Sequence, residues 1–162
     1  HTKEKEIWLI FYKKSSLKPR IPYNDAVEEA LCFGWIDSTV KFMDAERFAQ
    51  RFTPRRKGSP VSEMNKERVR RLIKDNKMTP AGLKAIEGFM EDKKLKIPHD
   101  ILKVLHKDSL VWKNFQQFPE SYKRIRIAYL ESQRRHNEEM FQKSLKYFVK
   151  MTAKNKKFGM VQ

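Results

Sequence analysis

The stretch Glu29-Ala30-Leu31-Cys32-Phe33-Gly34-Trp35-Ile36-Asp37-Ser38 decides how the chain folds. Ala26, Val27, Ala30, Leu31 and Phe33 form the apolar stripe of a short helix, and Asn24 or Asp25 is placed to cap its start. Gly34 stops that helix, because glycine accepts the left-handed backbone that helix C-termini favour. Trp35 to Phe42 then reads as a strand rich in aromatic and β-branched residues. The ten residues leave no room for a loop, so they are a helix-to-strand joint inside a core.

Outward from the joint, Ile7 to Tyr12 (Ile-Trp-Leu-Ile-Phe-Tyr) is a continuous apolar run and reads as a buried strand. Phe48 to Thr53 pairs with Trp35 to Phe42 as a hairpin across Met43-Asp44-Ala45-Glu46. Thr53-Pro54 ends it, and Arg55-Arg56-Lys57-Gly58-Ser59-Pro60 is a polar loop. A helix is predicted from about Asn65 with Val69, Leu72 and Ile73 inward, and Glu67 is spaced to pair with Arg71. Thr79-Pro80 signals another helix start, with Leu83, Ile86, Phe89 and Met90 inward. Helices follow at about 98–106, 109–117, 119–135 and 137–153, opened by Pro98, Ser109, Pro119 and Asn137. The fold class is therefore α+β, a small β-α-β-β unit with two helices over residues 1–92 and a basic helical module over 93–162.

Lysine and arginine number 36 against 20 acidic residues, a formal charge of +16 over 162 residues. Residues 93–162 carry 17 basic and 6 acidic side chains, so the excess is concentrated after a composition change near Asp92. Such a field attracts polyanions, and nucleic acid, anionic lipid and acidic proteins all qualify as partners. No apolar run reaches the roughly 18–20 residues a membrane-spanning helix requires. A single cysteine leaves no internal disulfide and suits a reducing compartment, so a cytoplasmic location is expected. The chain opens on His1 and not on methionine, so residues upstream of it are also expected.

Several groupings bear on chemistry. Cys32 lies among apolar neighbours, where a thiol stays protonated and inert. Asp37 and Ser38 follow Trp35 and can act as base and hydroxyl donor, or simply satisfy a turn. His99, His106 and His136 are dispersed without metal-ligand spacing, and no glycine-rich phosphate loop occurs. No catalytic residue, metal or cofactor is assigned. The positive signal is basic: Arg55, Arg56 and Lys57 in the loop, and Arg68, Arg70, Arg71, Lys74 and Lys77 on the helix before Asn76-Lys77-Met78-Thr79, a turn of helix-turn-helix type. Lys143, Lys146 and Lys150 oppose Phe141, Leu145 and Phe148, which suits either an anionic membrane surface or a helical core.

The chain resembles the YdeI/OmpD-associated family, also called bacteriocin-protection or OmdA-like. The resemblance rests on Trp8-Leu9-Ile10 to Lys14, Tyr23 to Ser38, Phe52-Thr53-Pro54-Arg55-Arg56, Asn65 to Val69 and Met78 to Leu83. It continues more loosely at Phe118 to Tyr122 and Tyr129 to Arg134. Val61 stands where members often have tryptophan, and Met140-Phe141 where a Thr-Arg pair is common. The resemblance implies a role in tolerance of antimicrobial peptides and envelope stress, brings no catalytic residues, and marks Trp35, Asp37, Arg55 and Arg56 as its characteristic patch. The leading reading is a non-enzymatic stress-tolerance protein that binds an anionic or protein partner. A nucleic-acid module using the 55–57 loop and the 65–77 helix, and an enzyme with Asp37 and Arg55 in one pocket, stay open.

Overall fold

In the computed structural model, which describes residues 3–90 and 94–159, the first strand lies at a sheet edge and not in its middle. β1 (Ile7–Tyr12), β2 (Trp35–Phe42) and β3 (Arg47–Pro54) form an antiparallel sheet in the order β1-β3-β2. Trp8 pairs opposite Arg51 and Ile10 opposite Ala49, yet these two β1 side chains remain 42% and 48% exposed. Only Phe11 of β1 is buried, which corrects the buried-strand expectation. The run is apolar because one of its faces meets a core, not both.

The hairpin forms as expected. The Asp44 carboxylate accepts the backbone N–H of Glu46 at 2.9 Å and of Arg47 at 2.8 Å, closing the turn. A register shift between Asp37 and Val40 bulges β2, and the buried Gln50 side chain donates to the Thr39 carbonyl there at 3.4 Å.

α1 (Tyr23–Cys32) starts earlier than the cap signals indicated. Pro22 precedes its first turn and no side chain caps it, while the Asn24 Oδ1 accepts from Arg68 Nη2 at 2.7 Å. α2 (Glu63–Lys74) buries Val69 and Leu72, as its period required, but Ile73 is exposed. The ion pairing also differs: Glu67 meets Arg70 at 3.1 Å, and Arg71 reaches across to Glu28 on α1. α3 (Pro80–Ala85) is capped by Thr79, whose hydroxyl accepts from the Gly82 N–H at 3.2 Å. Ile86 is buried after it, whereas Leu83 is 44% exposed and does not face inward.

The C-terminal helices are α4 (His99–His106), α5 (Ser109–Gln117), α6 (Glu120–His136) and α7 (Glu138–Ala153). Asp108 caps α5 and Asn137 caps α7 through their carboxyl and amide oxygens. Phe141, Leu145, Phe148 and Thr152 are buried, so the apolar stripe of α7 is core and not a membrane-facing surface. Asn114 ties α5 to the end of α7 by donating to the Thr152 carbonyl at 2.9 Å.

Two compact units result, one of His1–Val61 with Asn65–Glu91, the other of Ser62–Met64 with Asp92–Gln162. Each has its own core, one centred on Val27, Leu31, Trp35, Phe52 and Val69, the other on Ile101, Leu105, Tyr122, Leu130 and Phe148. The expected division at residues 92 and 93, and the composition change beside it, lie outside the described residues. Among the described residues no helix is long and apolar enough to cross a membrane.

Candidate functional site

Gly34 turns the chain between α1 and β2 with φ of +76°, and its carbonyl accepts from the Arg55 N–H at 2.9 Å. The joint therefore holds the end of β3 against the start of β2. Cys32 is buried beside it, and burial raises its pKa, as expected of a structural thiol. Its carbonyl accepts twice from Thr79, from the hydroxyl at 2.6 Å and from the backbone N–H at 3.0 Å.

Trp35 is buried and forms part of the wall of a cavity of about 480 Å³. Leu9, Ala26, Ala30, Phe33 and Phe52 supply most of the remaining apolar lining. Three carboxylates also line it: Glu4, and Asp25 and Glu29 one helical turn apart on α1. None of the three has a side-chain hydrogen bond or ion pair among the described residues. In a chain with 16 excess positive charges, three unpaired acids around one apolar cavity are a local reversal of the overall field.

The other residues singled out from the sequence go to separate places. Asp37 Oδ2 accepts from the Tyr23 hydroxyl at 2.5 Å, and burial together with that carboxylate pushes the Tyr23 phenol well above its ordinary value. Ser38 donates to the Arg51 carbonyl at 3.3 Å. Arg55 folds onto its own loop, Nη2 meeting the carbonyls of Ser59 at 3.2 Å and Pro60 at 2.5 Å, while Nε and Nη1 are covered without a partner. Burial lowers its pKa. Asp37 lies opposite Phe52 and Arg55 beyond Pro54, so Asp37, Ser38 and Arg55 do not converge on one reacting position.

Arg56 and Lys57 are exposed in a turn through Gly58, and Lys74 and Lys77 are exposed at the end of α2. Arg70 and Arg71 share their charge with Glu67 and Glu28. The turn at Asn76-Lys77-Met78-Thr79 does join two helices. α3 is only six residues long, however, and Gly82 is packed on the Cys32 backbone, which makes α3 a packing element of the joint.

One residue was missed. Arg126 on α6 is 7% exposed and lines a cavity of about 540 Å³ with Tyr129, Lys143, Ser144, Tyr147 and Phe158. Its place between Tyr122 and Leu130, in steps of four, puts an arginine on the buried row of α6, and that spacing was the available signal.

Residues 1–85, more than half of the chain, match a domain of unknown function (DUF8412) and belong to that family. Residues 94–155 match the family described as Bacteriocin-protection, YdeI or OmpD-Associated. The C-terminal part is similar to the YdeI/OmpD-associated family. The YdeI/OmpD-associated match covers α4 to α7, while the Leu31 to Ser38 string lies within the span of the domain of unknown function. Comparison with curated proteins and with solved structures gave no match.

Proposed function

We propose that this chain is a non-enzymatic protection protein that works by binding, and that its partner is a protein segment carrying apolar side chains flanked by positive charge. The observation that carries the reading is the Trp35 cavity, with an apolar lining and Glu4, Asp25 and Glu29 unpaired around it. A leucine-sized side chain seated there gains about 1.5–3 kcal/mol from burial. A neighbouring lysine or arginine then answers carboxylates that no described residue pairs with. The separation of Asp37, Ser38 and Arg55 supports holding a partner over transforming one. The family description of bacteriocin protection is consistent with such a role. The single buried thiol suits a reducing compartment, and the cytoplasm is the proposed location.

Nucleic acid is the second reading, favoured by the exposure of Arg56, Lys57, Lys74 and Lys77. One titration separates the two. Labelled peptides alternating leucine with lysine or leucine with glutamate, and a labelled duplex, are added to the full chain and to E4Q/D25N/E29Q. Net charge alone favours the glutamate peptide and the duplex, so preference for the lysine peptide, lost in the triple variant, comes only from the cavity acids. Equal binding of both peptides, or an unaffected triple variant, removes the proposal. A duplex signal that falls steeply with salt and weakens when Arg56 and Lys57 are replaced by alanine supports the second reading.

A further inference from the structure

Burying a cation without a hydrogen-bonded partner is among the most costly arrangements a fold can hold. Arg126 is more than nine-tenths covered, and its guanidinium has no hydrogen bond or ion pair to any described residue. Nε is sealed with no acceptor. What surrounds the group is aromatic: the Tyr122, Tyr129 and Phe158 rings have centroids 5.8, 5.3 and 5.0 Å from Cζ. Rings engage the charge through their π-systems and accept no conventional hydrogen bond, whereas the N–H donors of a guanidinium point outward in its own plane. Among the described residues the charge is held in position and its donors go unanswered. Burial accordingly lowers the pKa of Arg126.

The space beside this charge is a cavity of about 540 Å³, large enough for a small organic ligand. Its walls include Tyr129, Tyr147 and Phe158, with the Tyr147 and Phe158 rings fixed edge to face at 4.9 Å. Gly159 closes onto the guanidinium: a Cβ there would stand 2.9 Å from Nη1 and 3.0 Å from Nη2. A glycine, which its φ of +86° also favours, thus leaves no side chain against the two terminal nitrogens. The ammonium of Lys143, also at the cavity, is already held by Glu139 at 2.6 Å. Among the described residues Arg126 is the cation of this cavity that has no ion-pair partner, and the walls beside it are mostly apolar.

We propose that the Arg126 cavity is a binding site for a small monocarboxylate with an apolar or aromatic body, the carboxylate pairing with the Nη donors of Arg126 and the body lying among Tyr129, Tyr147 and Phe158. A planar carboxylate matches the guanidinium fork in shape and charge. A phosphate dianion would need a second cation held as closely as Arg126, whereas Lys143 is an exposed side chain paired with Glu139. The site lies in the C-terminal unit and does not depend on the Trp35 cavity.

The test is calorimetric titration of the full chain with 4-phenylbutyrate, and with 4-phenylbutyramide, 4-phenylbutylamine and inorganic phosphate as comparisons. The carboxylate should bind at least about tenfold more tightly than the other three, as a charge-assisted hydrogen bond demands. Arg126→Met keeps the bulk and removes the charge; it should lose that preference while its thermal midpoint without ligand stays level or rises. Should that variant fail to fold, Arg126→Lys keeps the positive charge and removes the planar fork, and it should weaken the carboxylate. Amide binding equal to carboxylate binding, tighter phosphate, unchanged affinity in either folded variant, or no heat from any of the four at millimolar concentration each overturns the proposal.

Discussion

Replacing Gly82 with alanine should destabilise the N-terminal unit, although the same change inside an exposed helix gains about 1 kcal/mol from propensity. A Cβ at residue 82 would lie 2.2 Å from the Cys32 carbonyl oxygen, 2.8 Å from its carbon and 2.9 Å from the Leu31 oxygen. All three are backbone atoms, so α3 itself must move. Overpacking of this kind costs about 1–3 kcal/mol. The displacement also stretches the two bonds from Thr79 to the Cys32 carbonyl, each worth about 1 kcal/mol. The balance is a loss of about 2–4 kcal/mol once the propensity gain is subtracted. For a unit of this size that lowers the melting midpoint by about 10 °C or more. Urea and thermal unfolding followed by near-ultraviolet circular dichroism give the number. Gly58→Ala is the control, because a Cβ there meets nothing within 4 Å and only the positive φ of 80° costs energy. A Gly82→Ala chain as stable as the parent, or more so, would refute the argument that close approach of α1 and α3 fixes the joint.

Tyr23→Phe removes the hydroxyl that Asp37 accepts and should cost about 1 kcal/mol at neutral pH. Because the folded-state pKa of Tyr23 is raised, its contribution is fully present below the ordinary phenol value of about 10 and is lost as pH climbs from there through the folded value. Alkaline stability should therefore fall less steeply in the variant, as urea midpoints above neutral pH will measure; parallel curves would contradict it. Asn137→Ala leaves the N–H groups of Glu139 and Met140 without their acceptor and should destabilise the C-terminal helices by about 1 kcal/mol, read by thermal melting.

The joint was legible because its signals are local. Gly34 stops a helix by backbone freedom, Thr79 caps one by its hydroxyl, and Phe141, Leu145 and Phe148 recur at helical spacing, so each declares itself within a few residues. Trp35 stands out in the sequence, but what surrounds it does not. The cavity takes Leu9 from β1, Ala26 and Ala30 from α1 and Phe52 from β3, residues that approach only after the strands pair. Asp37 and Arg55 looked like partners because both lie near the joint in sequence. Packing of α1 on β2 instead sets Asp37 against Tyr23, and Arg55 closes on the carbonyls of Ser59 and Pro60. Arg71 illustrates the same limit, since a helix offers Glu67 at the right spacing but tertiary packing offers Glu28.

Hydrophobic period, caps and charge are properties of short segments, and from them the sequence determined an α+β unit ahead of basic helices. It also pointed to the YdeI/OmpD-associated family. Tertiary structure decided which charges are left unanswered. Whether a carboxylate such as Glu29 or a guanidinium such as Arg126 has a counter-ion depends on elements far away in the chain. Electrostatic energy depends on distance and burial in the folded protein, and neither is written in the order of residues.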